Sequence, residues 1–514
     1  MKRGMLRGIG AALIAVAVLS VAACTGKQTG AAKDSITVIS PAGQPASLDP
    51  TLTNDVASAV VMKQVHETLI NQDIDTLAPL PGLAERYVFE NDASGEPTRL
   101  RLFLKHGVQF HNGEELKASD VKFTIERAAA APRISYISGG IGSVDVVNDY
   151  EVVINLAFPF IPIINNLAHT ALSIVNEKAV IEGGDRYPQN PVGTGPYQFV
   201  NWVAGDRIEL TRWDGYHGES AKVKDITIRY ISDSATALLE LETGGADILF
   251  PVMPHDVKRI KADKNLTIVN APGLRLNYIG LNNSRPHLNN VKVRQAIFHA
   301  IDRNAMVNTV YQGIGRPGRG PLAGAVWGSA AEILEQYEYN PERSRQLLAE
   351  AGYPNGFSLT IFTPEAANSR DTAEIMQNFL SQVGITAEIQ VLETATYIET
   401  TIKGEHDIGM HGWVTSTGDP DYGLNILHSR AHGSAGNRTF YSNPEVDRLL
   451  DAGRMETNSA RREQIYHDAQ KIIHSEAPWV YVQEDEVTVG IRSNVRGFKA
   501  SSNEVHPLAS VYFE

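Results

Sequence analysis

Residues 411–423 combine side chains that could bind a charged small molecule. The candidate ligand-binding residues in this segment are Trp413, Ser416, Asp419, Asp421 and Tyr422. An apolar strand is expected to lead to Trp413, after which the chain turns and presents its two carboxylates. A carboxylate that meets an ammonium group away from water forms a charge-assisted hydrogen bond, which compensates for the lost hydration. The segment is therefore suited to recognise an amine.

The same residues also have a purely structural interpretation. Asp is a common turn residue, so Asp419 and Asp421 could simply build the turn around Pro420 and Gly423. A lone Trp usually packs in a hydrophobic core, so Trp413 could be a core residue instead of a binding residue. The residues alone leave both interpretations open.

The N-terminus has the three parts of a secretory signal. Lys2, Arg3 and Arg7 precede an apolar run over residues 9–22, and small residues then lead to Cys24. The apolar run is shorter than the roughly 20 residues that span a bilayer. We expect residues 1–23 to be removed on export.

Net charge, cysteine content and chain length limit which partners, covalent bonds and domain numbers this protein can have. Removing the three cations of the signal takes the net charge from −13 to −16, which argues against nucleic acid as a partner. Cys24 is the single cysteine, so an internal disulfide is impossible. A chain of 514 residues exceeds the roughly 250 to 300 residues of one core, which predicts two or three lobes.

Short β-rich runs alternate with amphipathic helices, which predicts α/β lobes. The predicted strands are Ile36–Ile39, Arg99–Leu104, Glu151–Leu156, Arg207–Arg212 and Ile226–Ile231. Apolar residues spaced three and four apart predict one buried helical face over Val291–Val310, capped by Asn289 or Asn290. Asn340 followed by Pro341 predicts another helix start.

Several motifs, in order, resemble family 5 of the bacterial extracellular solute-binding proteins. They are Ser47-Leu48-Asp49-Pro50, the segment from Leu100 to Gly113, the segment from Pro191 to Tyr197, and the residues Asn277 to Leu281 with Val293 to Ala296. The resemblance covers nearly all of the chain after Asp34. It implies a solute receptor of an ABC importer, monomeric and without cofactor or bound metal, that delivers its ligand to permease subunits.

The resemblance also implies a fold. The expected architecture is α/β, a two-lobed periplasmic-binding-protein fold of the Venus flytrap type, with hinge strands and an extra subdomain in the first lobe. By this analogy residues 34–66, 186–272 and 484–514 form a discontinuous first lobe, residues 67–185 form the extra subdomain, and residues 273–483 form the second lobe.

The same analogy assigns roles to individual residues. In dipeptide-binding relatives the segment that matches Gly418 to Asp421 binds the ligand's ammonium group, and the preceding Trp lines the pocket. Asn277 and Tyr278, at the start of the second lobe, are implied as ligand-binding residues. The relatives bind the ligand's carboxylate with an Arg, but Thr363 stands at that place here and Arg370 comes several residues later. Residues 413–423 look closer to the glutathione-importer branch, so the implied ligand is a short peptide or a glutathione-like compound.

The residues before Cys24, Val21-Ala22-Ala23, resemble the lipobox of bacterial lipoproteins. This resemblance implies that a lipid on the Cys24 thiol anchors the protein to a membrane, facing the periplasm or the cell exterior. Residues 24–33 are small and polar and would form a flexible tether.

Two alternatives stay open. The pairs His406 with His411 and His428 with His432 would suit a receptor for nickel or a metallophore complex, although their surroundings favour solvated loops. A secreted peptide hydrolase is the alternative from another class. The sequence contains no HExxH, GxSxG or CxxC motif, so we expect no enzymatic activity.

Overall fold

The computed structural model describes residues 33–40, 43–53, 55–433 and 436–514. The predicted signal peptide, Cys24 and nearly all of the predicted tether lie outside these residues. Within them, no helix has both the length and the apolar character needed to cross a membrane.

Eighteen strands occur in the described residues. They are β1 Ser35–Ser40, β2 Ile70–Gln72, β3 Pro79–Pro81, β4 Ala84–Glu90, β5 Arg99–Leu104, β6 Ile141–Asn148, β7 Glu151–Leu156, β8 Tyr197–Val203, β9 Arg207–Arg212, β10 Asp225–Tyr230, β11 Ile248–Leu249, β12 Leu266–Leu281, β13 Ser358–Pro364, β14 Thr386–Leu392, β15 Ile408–Val414, β16 Trp479–Arg492, β17 Val495–Arg496 and β18 Tyr512–Phe513.

Fifteen α-helices occur in the same described residues. They are α1 Val56–Val65, α2 Ala118–Ala129, α3 Ser135–Ser138, α4 Ile163–Asn166, α5 Glu177–Gly183, α6 Ser234–Thr243, α7 Val257–Ala262, α8 Val291–Ala300, α9 Arg303–Thr309, α10 Pro341–Glu350, α11 Ala367–Ser381, α12 Thr394–Lys403, α13 Pro420–Leu424, α14 Pro444–Met455 and α15 Ser459–Glu476.

Two long strands join the halves of a ten-stranded sheet. Its order is β14-β13-β15-β12-β16-β11-β1-β10-β9-β8, so β12 and β16 lie at the centre. We call the part built on β1 and β8–β11 lobe I, and the part built on β13–β15 lobe II. The antiparallel pairing of β12 with β16 shifts register between Pro272 and Leu276 and again between Asn277 and Tyr278. Such irregularities bend a strand pair, and we call this irregular part of β12 and β16 the hinge.

Separate apolar cores confirm the division into lobes. Lobe II has its own core, which includes Ile279, Ile361 and Tyr466. Alternate residues of β1 face the two sides of the lobe I sheet, with Ile36 in one core cluster and Ile39 in another. The predicted boundaries at 272/273 and 483/484 fall inside β12 and β16, and the division at those residues stays a prediction.

The extra subdomain is built on a four-stranded sheet of order β4-β5-β7-β6. Leu100, Leu102 and Leu104 of β5 alternate as buried residues and pack in the subdomain core together with α2. Leu77, in the turn between β2 and β3, packs instead into the lobe II core and is 2% exposed. The subdomain therefore contacts lobe II across the cleft.

Most of the local predictions are confirmed, and one is wrong. The predicted strands match β1, β5, β7, β9 and β10, with β10 displaced by one residue. The single helix expected over 291–310 is instead two helices, because Ile301 adopts an extended conformation and Asp302 caps α9 by accepting a hydrogen bond from the Ala305 N–H at 3.0 Å. Asn290 caps α8 and Asn340 caps α10, as predicted.

Candidate functional site

Two adjoining cavities occupy the cleft between the lobes. The larger has a volume of about 720 Å³ and lies between Phe250–His255 of lobe I and lobe II residues such as Tyr278 and His411. The smaller, about 340 Å³, lies between the subdomain and lobe II. Three charged residues, Arg275, Asp485 and Glu504, line both cavities. The two cavities therefore form one continuous cleft around these charges.

Hinge residues supply much of the cleft's polar lining. The Asn277 amide donates a hydrogen bond to Gln483 Oε1 at 2.7 Å, which fixes the amide across the two hinge strands. The Tyr278 ring stacks on Trp479 with a centroid distance of 3.8 Å. Tyr278 is 5% exposed, and burial raises the pKa of its hydroxyl. Both residues were predicted from the sequence, and both line the larger cavity.

Asp485 and Glu504 bring two carboxylates close to the hinge. Among the described residues, no basic nitrogen lies within 4.0 Å of either carboxylate. Burial raises the pKa of Asp485, and Arg275 opposes that rise. Burial also raises the pKa of Glu504, with a further contribution from the charge on Asp485. Perturbed carboxylates in a cleft are typical of binding sites.

A short turn holds Glu504 in an unusual backbone conformation. Its φ is +66°, a left-handed value that non-glycine residues adopt rarely. The Glu504 N–H donates to the Ser501 carbonyl at 3.0 Å, and the Ser501 N–H donates to His506 Nδ1 at 3.0 Å. The His506 ring contacts Phe250 at a centroid distance of 4.4 Å, which connects the turn to lobe I.

Asp419 forms a buried ion pair. Arg462 donates to its two carboxylate oxygens at 2.8 Å and 2.7 Å, and Asp419 is 1% exposed. Asp419 also caps α13, since its Oδ1 accepts a hydrogen bond from the Asp421 N–H at 2.9 Å. Burial alone would lower the pKa of Arg462, but Asp419 raises it overall.

Asp421 likewise has an arginine partner. Arg454 donates to it at 3.0 Å and 3.2 Å. Burial raises the pKa of Asp421, and the charge on Arg454 acts in the opposite direction. The Arg454 carbonyl accepts a hydrogen bond from the Ile161 N–H of the subdomain at 2.9 Å. Binding of a ligand's ammonium group by both aspartates stays a prediction. The structure shows that each aspartate is paired with an arginine.

The other candidate residues in the segment 411–423 differ in how deeply they are buried and in whether they line a cavity. Trp413 is half-buried against the lobe II core and stacks with Tyr422 at a centroid distance of 5.4 Å. Ser416 lines the smaller cavity, and its buried hydroxyl has no hydrogen-bond partner among the described residues. Of this set, Ser416 lines the cleft, whereas Trp413, Asp419, Asp421 and Tyr422 lie outside the lining of both cavities.

Arg370 lies on α11 and is exposed. Its neighbours Asn368, Ser369 and Thr372 line the larger cavity, and Arg370 does not. Thr363 is fully buried, and its hydroxyl donates to the Pro364 carbonyl at 3.1 Å. Arg275 was not predicted from the sequence, yet its guanidinium lies in the cleft.

Sequence reasoning missed the three charged residues that line both cavities. Asp485 belongs to the run Glu484-Asp485-Glu486, which interrupts an otherwise apolar strand at the hinge, and this interruption was the available signal. Gly273 was a second signal, because a Cβ there would lie 3.2 Å from the Asp485 Cβ. Nothing in the local pattern around Glu504 indicates that it faces the cleft.

Comparisons with known proteins agree with this architecture. Residues 78–435 match the profile of the bacterial extracellular solute-binding proteins, family 5. The chain belongs to this family. It is 31% identical over 495 residues to the glutathione-binding protein GsiB of Pectobacterium atrosepticum, covering 94% of this chain and 95% of that protein. It is 28% identical to the dipeptide-binding protein of Escherichia coli K12, in an alignment that covers 100% of this chain and 98% of that protein.

Solved structures share the fold. HbpA2 from Haemophilus parasuis superposes with a TM-score of 0.86 at 29% identity and covers 93% of this chain and 100% of its own. A second match is DppA from Helicobacter pylori, an ABC transporter-associated periplasmic binding protein in complex with the peptide STSA. Its TM-score is 0.75 at 28% identity, and the match covers 94% of this chain and 98% of DppA. The predicted family and the two-lobed α/β fold are thereby confirmed, and the family is one of substrate-binding receptors rather than a class of enzymes.

Proposed function

We propose that this protein is the receptor of an ABC importer and that it captures short peptides, including glutathione-like compounds, between its two lobes. The observation that carries the proposal is the cavity of about 720 Å³ at the hinge, lined by residues of both lobes. Ligand pockets typically have volumes of about 300 to 1,000 Å³. The similarity to a glutathione-binding and a dipeptide-binding protein supports the ligand class.

The proposed cycle depends on movement about the hinge. A ligand that contacts both lobes stabilises the closed arrangement, which shifts the population towards the form that docks on the permease. Contacts already cross the cleft, since the Gln72 amide donates to the Thr417 carbonyl at 2.9 Å. The lipid on Cys24 would keep the monomeric receptor close to its permease at the outer face of the membrane.

Ligand-induced stabilisation tests the proposal. A ligand at 100 times its Kd raises the free energy of unfolding by about 2.7 kcal/mol. Thermal unfolding of ligand-free protein should therefore shift upwards with glutathione or with members of a panel of di- and tripeptides. A shift with none of these compounds, in folded protein freed of bound ligand, would refute the peptide assignment.

A nickel or metallophore complex is the second candidate ligand. His411 lines the larger cavity, and its ring centroid lies 6.1 Å from that of His406. Burial lowers the pKa of both imidazoles, which favours the neutral form that binds metals. No group of three or more potential ligands that could hold a metal occurs within the described residues. Calorimetry with nickel, with and without a small chelator, tests this candidate directly.

We also propose that the protein leaves its ligand chemically unchanged. Prolonged incubation with glutathione and with the peptide panel, followed by mass spectrometry, should return the intact compounds. Hydrolysis products that increase with protein concentration would favour a secreted hydrolase.

A further inference from the structure

We propose that Asp485, Glu504 and Arg275 form a bipolar subsite, in which the two carboxylates receive the ligand's ammonium group and Arg275 receives a carboxylate of the same ligand. This assignment rests on the proposed function and names the chemical class of its ligand: a small zwitterion with a free amino group. The three side chains come from three separate segments and line both cavities of the cleft.

The two partly buried carboxylates lack the ion-pair partners that neutralise the buried acids Asp419 and Asp421. Asp419 and Asp421 each have an arginine within hydrogen-bonding distance. Asp485 accepts a hydrogen bond from the N–H of Glu486 at 2.8 Å, and the Gln483 amide also stabilises its ionised form, but neither partner carries a positive charge. Among the described residues, Glu504 has neither a side-chain hydrogen bond nor an ion pair. Arg275 lowers the pKa of both carboxylates but lies beyond 4.0 Å of each, so neither has an ion-pair partner within the described part of the chain, and a ligand's ammonium group would supply one.

The backbone around both carboxylates is fixed in advance. Asp485 lies on β16 at the hinge, where Gly273 allows β12 to approach closely. Glu504 occupies its left-handed conformation in a turn held by the Asn503 side chain, which accepts from the Val505 N–H at 3.0 Å. A non-glycine residue in this region suggests a functional constraint. Asp485 is therefore positioned by a strand, and Glu504 by a hydrogen-bonded turn.

The cavity offers an independent group for the ligand. The Tyr278 side chain is 95% buried, given its exposure of 5%, and it lines the larger cavity. Its ring stacks on Trp479, whereas its hydroxyl has no hydrogen-bond partner among the described residues. A hydroxyl without a protein partner at the edge of a cavity is suited to bind a polar ligand atom. This hydroxyl supports a polar ligand in the same cavity, without reference to the acidic pair.

Arg275 gives the subsite its second pole. It is exposed to the cleft, and no carboxylate lies within 4.0 Å of its guanidinium among the described residues. Guanidinium groups bind carboxylates in bidentate geometry. A free amino acid or peptide carries both charges on one molecule, so it would satisfy both poles at once.

Calorimetry with charge-modified ligands tests the assignment. The probes are glutathione and alanyl-alanine, each with its N-acetylated form, and alanyl-alanine amide. N-acetylation should weaken binding to the wild-type protein about tenfold or more, since it removes the ammonium charge. The double variant Asp485→Asn with Glu504→Gln should bind the free ligands about tenfold or more weakly, and acetylation should then have little further effect. Arg275→Gln should bind alanyl-alanine and its amide with similar affinity.

Asp214→Asn is the matched control, because it removes one charge from a lobe I side chain that is 87% exposed and outside both cavities. It should bind every probe as the wild type does. Wild-type affinity in the double variant, with discrimination against acetylated ligands retained, overturns the subsite and leaves the proposed function intact. Failure of the wild type to bind any of the peptides overturns the proposed peptide function, and the subsite with it.

Discussion

Arg462 holds Asp419 through two hydrogen bonds, of 2.8 Å and 2.7 Å, and the side chains are 7% and 1% exposed. This geometry is that of a buried bidentate ion pair. Removing one partner of such a pair leaves a buried charge without compensation, which typically costs about 3 to 5 kcal/mol. The pair thus contributes to the stability of lobe II in addition to any contact with ligand.

The first prediction concerns this pair. Asp419→Ala should lower the free energy of unfolding by about 3 to 5 kcal/mol, measured by chemical denaturation. Glu445→Ala removes an exposed ion pair with Arg448 and should cost about 1 kcal/mol or less. If Asp419 also binds the ligand's ammonium group, the folded variant will bind glutathione more weakly. An unchanged affinity would limit Asp419 to its structural role.

The second prediction concerns the contact across the cleft. Leu77→Ala removes a subdomain side chain from the lobe II core, a type of change that costs about 2 kcal/mol or more. The ligand-free protein should shift towards more open forms, with a larger radius of gyration in small-angle X-ray scattering and a weaker affinity for glutathione. Leu80→Ala is the control, because Leu80 lies in the same segment and is 43% exposed. Equal scattering curves for the two variants would contradict the prediction.

The third prediction concerns the pH dependence of binding. An ammonium ligand requires ionised Asp485 and Glu504, whose raised pKa values lie above the ordinary values of 3.8 and 4.5. The affinity should therefore be highest at pH values above both raised pKa values. As the pH is lowered, the affinity should begin to fall while the pH is still above 4.5. The other titratable or charged groups that line the larger cavity are His255, Arg275, Tyr278, Tyr311, His411 and Glu486, and those that line the smaller cavity besides Arg275 are Asp55, Lys63, Asp73 and His169. Calorimetry at a series of pH values should show this loss, and the double variant should show less of it.

The same raised pKa values have the opposite consequence for the stability of the ligand-free protein, which should increase as the pH falls. Because folding raises both pKa values, the ionised carboxylates destabilise the fold, and this penalty disappears as the pH falls through the raised values. Asp485→Asn should therefore unfold at a temperature equal to or above that of the wild type at pH 7. A clear loss of stability would indicate that Asp485 has a structural partner instead.

The fourth prediction concerns the membrane anchor. Cys24→Ala removes the thiol that would carry the lipid, so the protein should move from the membrane fraction to the soluble fraction of its host. Affinity for glutathione should not change, because the residues that line the cleft begin at Asp55, after the predicted tether. Thr25→Ala is the control and should stay in the membrane fraction. Membrane retention of the cysteine variant would refute the anchor.

The family, the lobes and most secondary structure were predictable because their signals are local. Strands such as Arg99–Leu104 alternate apolar and polar residues, and the helix beginning at Pro341 follows the capping residue Asn340. The break after Ala300 was missed, since the apolar spacing continues through Ile301 and conceals the capping by Asp302.

The candidate site was predictable only in part. Asn277, Tyr278 and Ser416 were identified from the sequence, and each lines the cleft. The arginine partners of Asp419 and Asp421 were not identified, because Arg462 and Arg454 lie 43 and 33 residues further along the chain, on separate helices.

The sequence by itself determined the class of this protein: its motifs, acidic charge and single cysteine indicate a solute receptor. Tertiary structure alone decided which charges share the cleft. Arg275, Asp485 and Glu504 meet because β12 and β16 cross at the hinge and the C-terminal turn packs beside them. Local spacing cannot encode such a meeting, since it depends on how distant segments pack and on which carboxylates that packing leaves without an ion-pair partner.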